Sequence, residues 1–156
     1  MPSIEFDVHG NLQPYTVITL TIEEFKQAFV TAFPDSERRS LLFDTFLMHV
    51  TNFRITANEE FFVWVDGSFI TRKTNPSDID FVIFLDADCY TRHEEQAAFF
   101  RQQRFLPNKL IDGYFVQVYP EDHRQRNWYE SDRLRWLQDF GISLAGRKKG
   151  IVQLNF

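Results

Sequence analysis

Residues 66–85 read DGSFITRKTNPSDIDFVIFL, a polar loop followed by an apolar run. It begins where the apolar run FFVWV at 61–65 ends, and it closes with a second apolar run, FVIFL. Neither run alternates apolar with polar residues, which is typical of interior strands covered on both faces. The sequence therefore predicts two interior strands, with a Gly-Ser pair after the first and the carboxylates of Asp78 and Asp80 at the start of the second.

The two aspartates predict a metal site. Side chains two residues apart in a strand point to the same face, so Asp78 and Asp80 would present their carboxylates together. Two like charges this close are unfavourable unless something neutralises them. Mg²⁺ can do so, because it takes one or two carboxylates and completes its octahedral shell with water and phosphate oxygens. Asp78 and Asp80 are therefore predicted to be metal ligands and catalytic residues.

The loop between the two strands predicts a phosphate site. Glycine at position 67 lets the backbone approach a phosphate closely, and nearby N–H groups with the Ser68 hydroxyl can hold phosphate oxygens. Arg72 and Lys73 could supply the counter-charge for a triphosphate, although both could equally be ordinary loop cations. A metal beside a phosphate cradle indicates phosphoryl or nucleotidyl transfer, in which catalysis is mainly positioning and charge neutralisation.

The remaining sequence predicts helices and further strands around this pair. The predicted elements, in chain order, are an extended arm at 1–20, a helix from the Thr21–Glu24 capping box to Pro34, a helix at 36–53, a helix from a Thr91–Glu94 capping box to about Arg104, a strand at 114–119, a helix at 127–140 and an edge strand, IVQLNF, at 151–156. This order predicts one α/β (α+β) domain over residues 1–156, a small mixed β-sheet flanked by helices, with residues 141–156 forming a C-terminal turn and strand.

Composition narrows the function classes. Lys and Arg number 17 against 22 Asp and Glu, and the resulting net charge of −5 argues against a broad nucleic-acid surface. The single cysteine, Cys89, excludes an intramolecular disulfide. With no apparent targeting or membrane-spanning segment, the chain is predicted to be cytoplasmic and to have no membrane partner.

The order apolar strand, Gly-Ser, about ten residues and Asp-x-Asp strand resembles the nucleotidyltransferase superfamily of the DNA polymerase β type. The resemblance implies that fold, with Asp78 and Asp80 binding two Mg²⁺ ions in a fully active enzyme and Gly67 and Ser68 holding a nucleoside triphosphate. It also implies a third carboxylate on a later strand.

A poorly characterised bacterial and phage branch of that superfamily is similar over nearly the whole chain. The matching elements are VHGNLQP, DGSFITRKTNPSDID, DFG at 139–141 and KGIV at 149–152. The resemblance implies transfer of a nucleotidyl group, from ATP or another triphosphate, to a hydroxyl of a protein, RNA or small molecule. By family analogy it suggests a toxin–antitoxin or phage-defence setting.

The third carboxylate is where the sequence departs from this pattern. The candidate strand YFVQVY carries Gln117 at the expected mid-strand position, and glutamine brings no negative charge to a metal. Asp112, Glu121 and Asp122 lie nearby and one of them could substitute, although they fall at the ends of the predicted strand. Two hypotheses follow: an active nucleotidyltransferase, or a catalytically inactive relative that serves as a binding or regulatory module.

Several other polar and aromatic residues have simpler interpretations. Asp66 is expected to fix the turn by local hydrogen bonds. The basic cluster at 147–149 is expected to be a solvated turn, with a substrate or RNA contact as the alternative. Trp128, Tyr129 and Trp136 are expected to be packing residues.

Overall fold

The computed structural model describes residues 2–156 and has a mixed α/β architecture, which confirms the predicted class. The strands are β1 (Glu5–Phe6), β2 (Leu12–Gln13), β3 (Val17–Thr19), β4 (Phe62–Asp66), β5 (Ile79–Asp86), β6 (Ile111–Val118) and β7 (Ile151–Asn155). The helices are α1 (Ile22–Lys26), which continues as a π-helical segment (Gln27–Thr31), α2 (Arg39–Ala57), α3 (Ala87–Arg92), α4 (Glu94–Arg104) and α5 (Arg126–Phe140). A 3₁₀ turn (Gly67–Ile70) follows β4.

Five of the strands form one mixed sheet in the order β3-β7-β4-β5-β6, while β1 and β2 pair as a separate antiparallel ribbon. β4 is antiparallel to both of its neighbours, whereas β3 pairs with β7 and β5 pairs with β6 in parallel. The predicted position of the C-terminal strand is wrong. β7 is an interior strand, because β3 from the N-terminal arm adds to its outer side.

The sheet is covered on both faces, as predicted for β4 and β5. On one face, Phe81 and Ile83 of β5 pack in the larger core, where α1 and α2 contribute Phe25 and Phe46. On the other face, Val82 and Phe84 of β5 pack with the following aromatic residues of β4 and α5: Trp64, Tyr129 and Phe140. Successive side chains of a strand point to opposite faces. The polar residues of β5, Asp80 and Asp86, therefore lie on the same face as Val82 and Phe84.

The predicted helix starts have different outcomes. The first capping box is confirmed, since Thr21 and Glu24 exchange both hydrogen bonds. The second is wrong, because the Thr91 hydroxyl donates to the carbonyl of Ala87 inside a separate short helix, α3. That helix starts where the Asp86 carboxylate accepts from the backbone N–H of Cys89.

No helix within residues 2–156 has the length and apolar character needed to cross a membrane.

A buried arginine holds the loop that follows β4. The Arg39 side chain is completely buried, and its guanidinium donates to four backbone carbonyl groups, those of Phe29, Phe69, Thr71 and Lys73. Burial lowers the pKa of Arg39 to about 10, so the side chain stays charged at neutral pH. A planar guanidinium with five donors suits this task better than a lysine would.

Arg39→Met should therefore destabilise the fold by about 3 kcal/mol, since a buried carbonyl group without a partner costs about 1–3 kcal/mol. Urea unfolding followed by circular dichroism measures the change. Arg54→Met on the same helix is the matched control, because the Arg54 guanidinium has no hydrogen-bond or ion-pair partner within residues 2–156. Equal unfolding midpoints for the two variants would contradict this role of Arg39.

Candidate functional site

Three neighbouring strands each place an aspartate at the same level of the sheet. Asp66, the last residue of β4, pairs with Asp80 of β5, and Asp80 pairs with Asp112 of β6. Paired residues on adjacent strands project to the same face, and Asp78 joins them two residues before Asp80. Four carboxylates therefore converge at one end of the sheet, on the face that α5 covers.

Three of these carboxylates form a compact cluster. Asp78, Asp80 and Asp112 each offer an oxygen, and the three oxygens lie within 4.8 Å of one another. The predicted pair, Asp78 and Asp80, is thus brought together, and Asp112 is the third carboxylate. β6 begins at Ile111, three residues before the predicted strand, and this earlier start places Asp112 opposite Asp80.

The predicted third-ligand position, Gln117, is corrected by the strand register. Gln117 pairs with Leu85, five residues beyond Asp112 on β6. Gln117 and Phe115 are two residues apart and point to the same face of the sheet, where Phe115 packs against the larger core. Asp112 and Tyr114 point to the opposite face. The prediction failed because the cluster lies at the end of the strand and not at its middle.

The cluster is electrostatically strained. Burial, then repulsion from Asp78 and Asp112, raises the pKa of Asp80 to about 8. Burial also raises the pKa of Asp78. Lys109 forms ion pairs with two of the carboxylates: its Nζ lies 2.9 Å from Oδ2 of Asp112 and 3.6 Å from Oδ2 of Asp78. This ammonium group offsets only part of the charge of three carboxylates.

Unpaired buried oxygens give independent evidence that something else binds here. Oδ1 of Asp66 and Oδ1 of Asp112 are buried and have no hydrogen-bond partner within residues 2–156. Buried acceptors normally have a partner, because leaving one unpaired costs free energy. The donor set consists of carboxylate oxygens, which suit hard divalent cations such as Mg²⁺, Mn²⁺ or Ca²⁺. Oxygens that share one such ion lie up to about 4–5 Å apart, so the cluster fits a divalent cation.

The Gly-Ser turn lies directly against the cluster. Gly67 has a φ of +75°, and a Cβ at this position would overlap Oδ2 of Asp80. Only glycine allows the chain to pass here, for reasons of both backbone conformation and space. Gly67 and Ser68 line the same cleft as Asp80 and Asp112, so the predicted phosphate-binding turn and the predicted metal ligands are adjacent.

The two loop cations have different environments. Lys73 is exposed and lines the cleft. Arg72 turns toward the N-terminal arm, where its guanidinium donates to the carbonyl groups of Phe6 and Asp7 at 3.3 and 3.2 Å. The structure therefore brings Lys73 to the candidate site, whereas Arg72 contacts the arm.

Asp66, Asp80 and Asp112 form a row of acidic side chains across three strands, here called the acidic row. A buried ion pair lies at its β4 end. Nζ of Lys149 lies 2.9 Å from Oδ2 of Asp66, and both side chains are buried. Burial raises the pKa of Asp66 to about 7, although Lys149 acts in the opposite direction. Two expectations are corrected: Asp66 pairs with a distant lysine and does not only fix its turn, and Lys149 is not part of a solvated cluster. The only local sequence signal for this pair was a lysine two residues before an apolar strand.

A cleft of about 730 Å³ opens above the acidic row. Its lining has three parts: the carboxylates of the sheet, the turn and loop after β4, and the end of α5 with the segment that follows. The residues of the third part include Trp136, Asp139, Phe140, Ile142, Ser143, Leu144 and Arg147. The volume is that of a typical small-molecule site.

In a comparison with known protein families, the family model described as "Family of unknown function (DUF6932)" matches residues 4–155. No curated protein and no solved structure matches the chain.

Gly67→Ala should displace the Asp80 carboxylate and weaken Mn²⁺ binding at least about tenfold, which corresponds to about 1.4 kcal/mol. Electron paramagnetic resonance of free Mn²⁺ measures the binding. Gly146→Ala is the matched control, because Gly146 has a φ of +76° and a Cβ added there would meet no atom within 4 Å. That variant should show the backbone strain of about 1 kcal/mol alone, with unchanged Mn²⁺ binding. Equal Mn²⁺ affinities for the two variants would refute the interpretation.

Cation binding should also depend on pH. An Asp80 with a pKa of about 8 carries a proton at pH 6.5 in the cation-free protein, and the cation must displace it. The association constant for Mn²⁺ should therefore rise about tenfold per pH unit up to about pH 8 and then level off. Titration calorimetry in two buffers of different ionisation enthalpy measures the released proton. A Mn²⁺ affinity that stays constant from about pH 6 to 8 would contradict the raised pKa of Asp80.

Proposed function

The chain belongs to the family of unknown function DUF6932, and we propose that it binds a nucleoside triphosphate with Mg²⁺ and transfers the nucleotidyl group to a hydroxyl of a protein or RNA acceptor. One observation carries the proposal. Asp80 of the three-carboxylate cluster lies directly against the Gly67 turn, which only glycine can form, and Asp80, Asp112 and Gly67 line a cleft of suitable volume. Phosphoryl chemistry needs these two parts, a metal site and a phosphate-binding turn, next to each other.

The residues divide into two groups. Asp78, Asp80 and Asp112 would hold Mg²⁺, which supplies neutralisation of the phosphate oxygens when bound. The backbone N–H groups around Gly67 and the hydroxyl of Ser68 would hold the leaving phosphates, because such donors at a turn form an anion-binding concavity. Lys73, exposed at the edge of the cleft, would add positive charge to the phosphate side.

The proposed reaction is an in-line displacement. The acceptor oxygen forms a bond to the α-phosphorus, the bond between that phosphorus and the bridging oxygen to the β-phosphate breaks, and diphosphate leaves. The hydroxyl proton needs an acceptor nearby. The carboxylate of Asp112 lines the cleft and would take that proton.

Charge balance bears on the number of metal ions. The three carboxylates carry three negative charges when ionised, and Lys109 offsets one of them. The remaining two match one divalent cation. A second Mg²⁺, which the resemblance implies for a fully active enzyme, would then enter with the charge of the triphosphate. Lys149 pairs with Asp66 and not with these three carboxylates, so it does not enter this count.

The alternative, an inactive binding or regulatory module, rested on the missing third carboxylate at Gln117. Asp112 now supplies a carboxylate in the cluster, so that observation no longer favours the alternative. A nucleic-acid-binding protein without catalysis is opposed by the net charge of −5.

Asp112→Asn should weaken the binding of Mn²⁺ together with a non-hydrolysable nucleoside triphosphate at least about tenfold. The amide keeps the shape of the side chain and removes its charge, so the cluster loses one ligand charge. Titration calorimetry measures the affinity. Asp122→Asn is the control, because Asp122 was another candidate third carboxylate and lies exposed beyond the end of β6.

Gln117→Ala provides a second control and should bind as the wild type does, because Gln117 lies on the opposite side of the sheet. The proposal would be wrong if the wild type bound neither the cation nor the triphosphate at millimolar concentration. It would also be wrong if Asp112→Asn and Asp122→Asn had the same affinity.

A further inference from the structure

The cleft has an aromatic wall that the metal and phosphate chemistry does not use. We propose that this wall, formed by Tyr114, Trp136 and Phe140, is the stacking site for the base of the nucleotide, and that it prefers purines. The inference rests on the proposed function, because the bound triphosphate is what would bring a base into this part of the cleft.

The wall lies next to the acidic cluster, farther along β6. Tyr114 is two residues after Asp112 on β6, so it projects to the same face about 7 Å further along the strand. The last turns of α5 bring Trp136 and Phe140 beside it. The ring centroids of Tyr114 and Trp136 are 5.1 Å apart, and those of Trp136 and Phe140 are 5.0 Å apart. The ring planes meet at 52° and 69°, so Tyr114 and Phe140 pack against the indole of Trp136 at an angle and support it.

Phe140 belongs to the smaller core, whereas the other two rings are only partly buried. Trp136 and Tyr114 are half-buried and line the cleft, and the indole N–H of Trp136 has no hydrogen-bond partner within residues 2–156. Trp64 shows the contrast: it is buried, and its indole N–H donates to Oε1 of Gln153 at 3.0 Å. A buried tryptophan usually finds such a partner, so an open one at a cleft is suited to a ligand.

Tyr114 is fixed from behind. The guanidinium of Arg104 lies over its ring at 4.0 Å and donates to the carbonyl of Gly113 at 3.0 Å. This contact leaves the tyrosine little freedom to change its rotamer, so the wall is formed before any ligand arrives. A pre-formed surface binds more tightly, because less side-chain ordering accompanies association.

The rest of this half of the cleft suits a planar ring with polar edges. Ile142 and Leu144 line the cleft and expose apolar side chains, 44% and 111% of their reference areas. Asp139 and Ser143 lie in the same lining and can accept or donate hydrogen bonds at the edge of a base. Stacking on an aromatic side chain contributes about 1–3 kcal/mol per base, and the larger ring system of a purine offers more area.

The test compares two tryptophans on one helix. Trp136→Leu removes the aromatic ring from the cleft, and Trp128→Leu removes a tryptophan that is 61% exposed and is not part of the cleft lining. The ligands are ATP, CTP and inorganic tripolyphosphate, each with Mg²⁺, measured by titration calorimetry. Circular dichroism and thermal unfolding check that both variants fold.

We expect Trp136→Leu to bind ATP about tenfold more weakly and tripolyphosphate within about twofold of the wild type. The preference of the wild type for ATP over CTP should shrink in this variant. Trp128→Leu should bind all three ligands as the wild type does.

Other results separate the two proposals. If Trp136→Leu and the wild type bind ATP equally, while both bind tripolyphosphate, the base site is wrong and the proposed function stands. If Trp136→Leu loses tripolyphosphate as well as ATP, Trp136 supports the fold and not a base, and the inference is overturned. If the wild type binds neither ligand, the proposed function fails and this inference fails with it.

Discussion

Strand pairing concentrates negative charge at one end of the sheet, and the surrounding segments must compensate for it. The register places Asp66, Asp80 and Asp112 side by side on three strands, with Asp78 two residues before Asp80. Carboxylates at this distance, partly removed from water, repel one another strongly. Such an arrangement is stable only with compensating positive charge, and the chain brings that charge from two distant segments, as Lys109 before β6 and Lys149 before β7.

This constraint accounts for features of the fold that would otherwise look incidental. β7 inserts between β3 and β4, so the residue shortly before it, Lys149, reaches the end of β4 where Asp66 lies. The loop after β4 must pass Asp80 without a side chain, which Gly67 allows, and must then keep its position. Arg39 holds it there through carbonyl groups of the loop from within the core. Charge, backbone space and a buried hydrogen-bond network therefore act on the same short segment.

The sequence predicted the parts of the fold and site that depend on local pattern. β4 and β5, the first capping box, and the grouping of Gly67 and Ser68 with Asp78 and Asp80 follow from apolar runs and spacing. The parts that depend on pairing between distant strands were not predictable in this way. Glycine is depleted in strands, so the local pattern predicts that β6 begins after Gly113, which excludes Asp112 from the strand. In the structure Gly113 is where the ring of Phe81 packs against β6, leaving no room for a Cβ.

The cleft has a phosphate half, next to the carboxylates, and an aromatic half. This arrangement explains how an acidic protein could hold a polyanion under the proposed function. The net charge of −5 and the carboxylate floor oppose the approach of a triphosphate, while they attract a cation. A divalent ion in the cluster neutralises the local charge, and the Gly67 turn and Lys73 then face the phosphates without net repulsion. The aromatic wall carries no charge, so its attraction for a base does not depend on that neutralisation. Cation binding would therefore come first and control the phosphate half of the cleft, whereas the aromatic half would be available throughout.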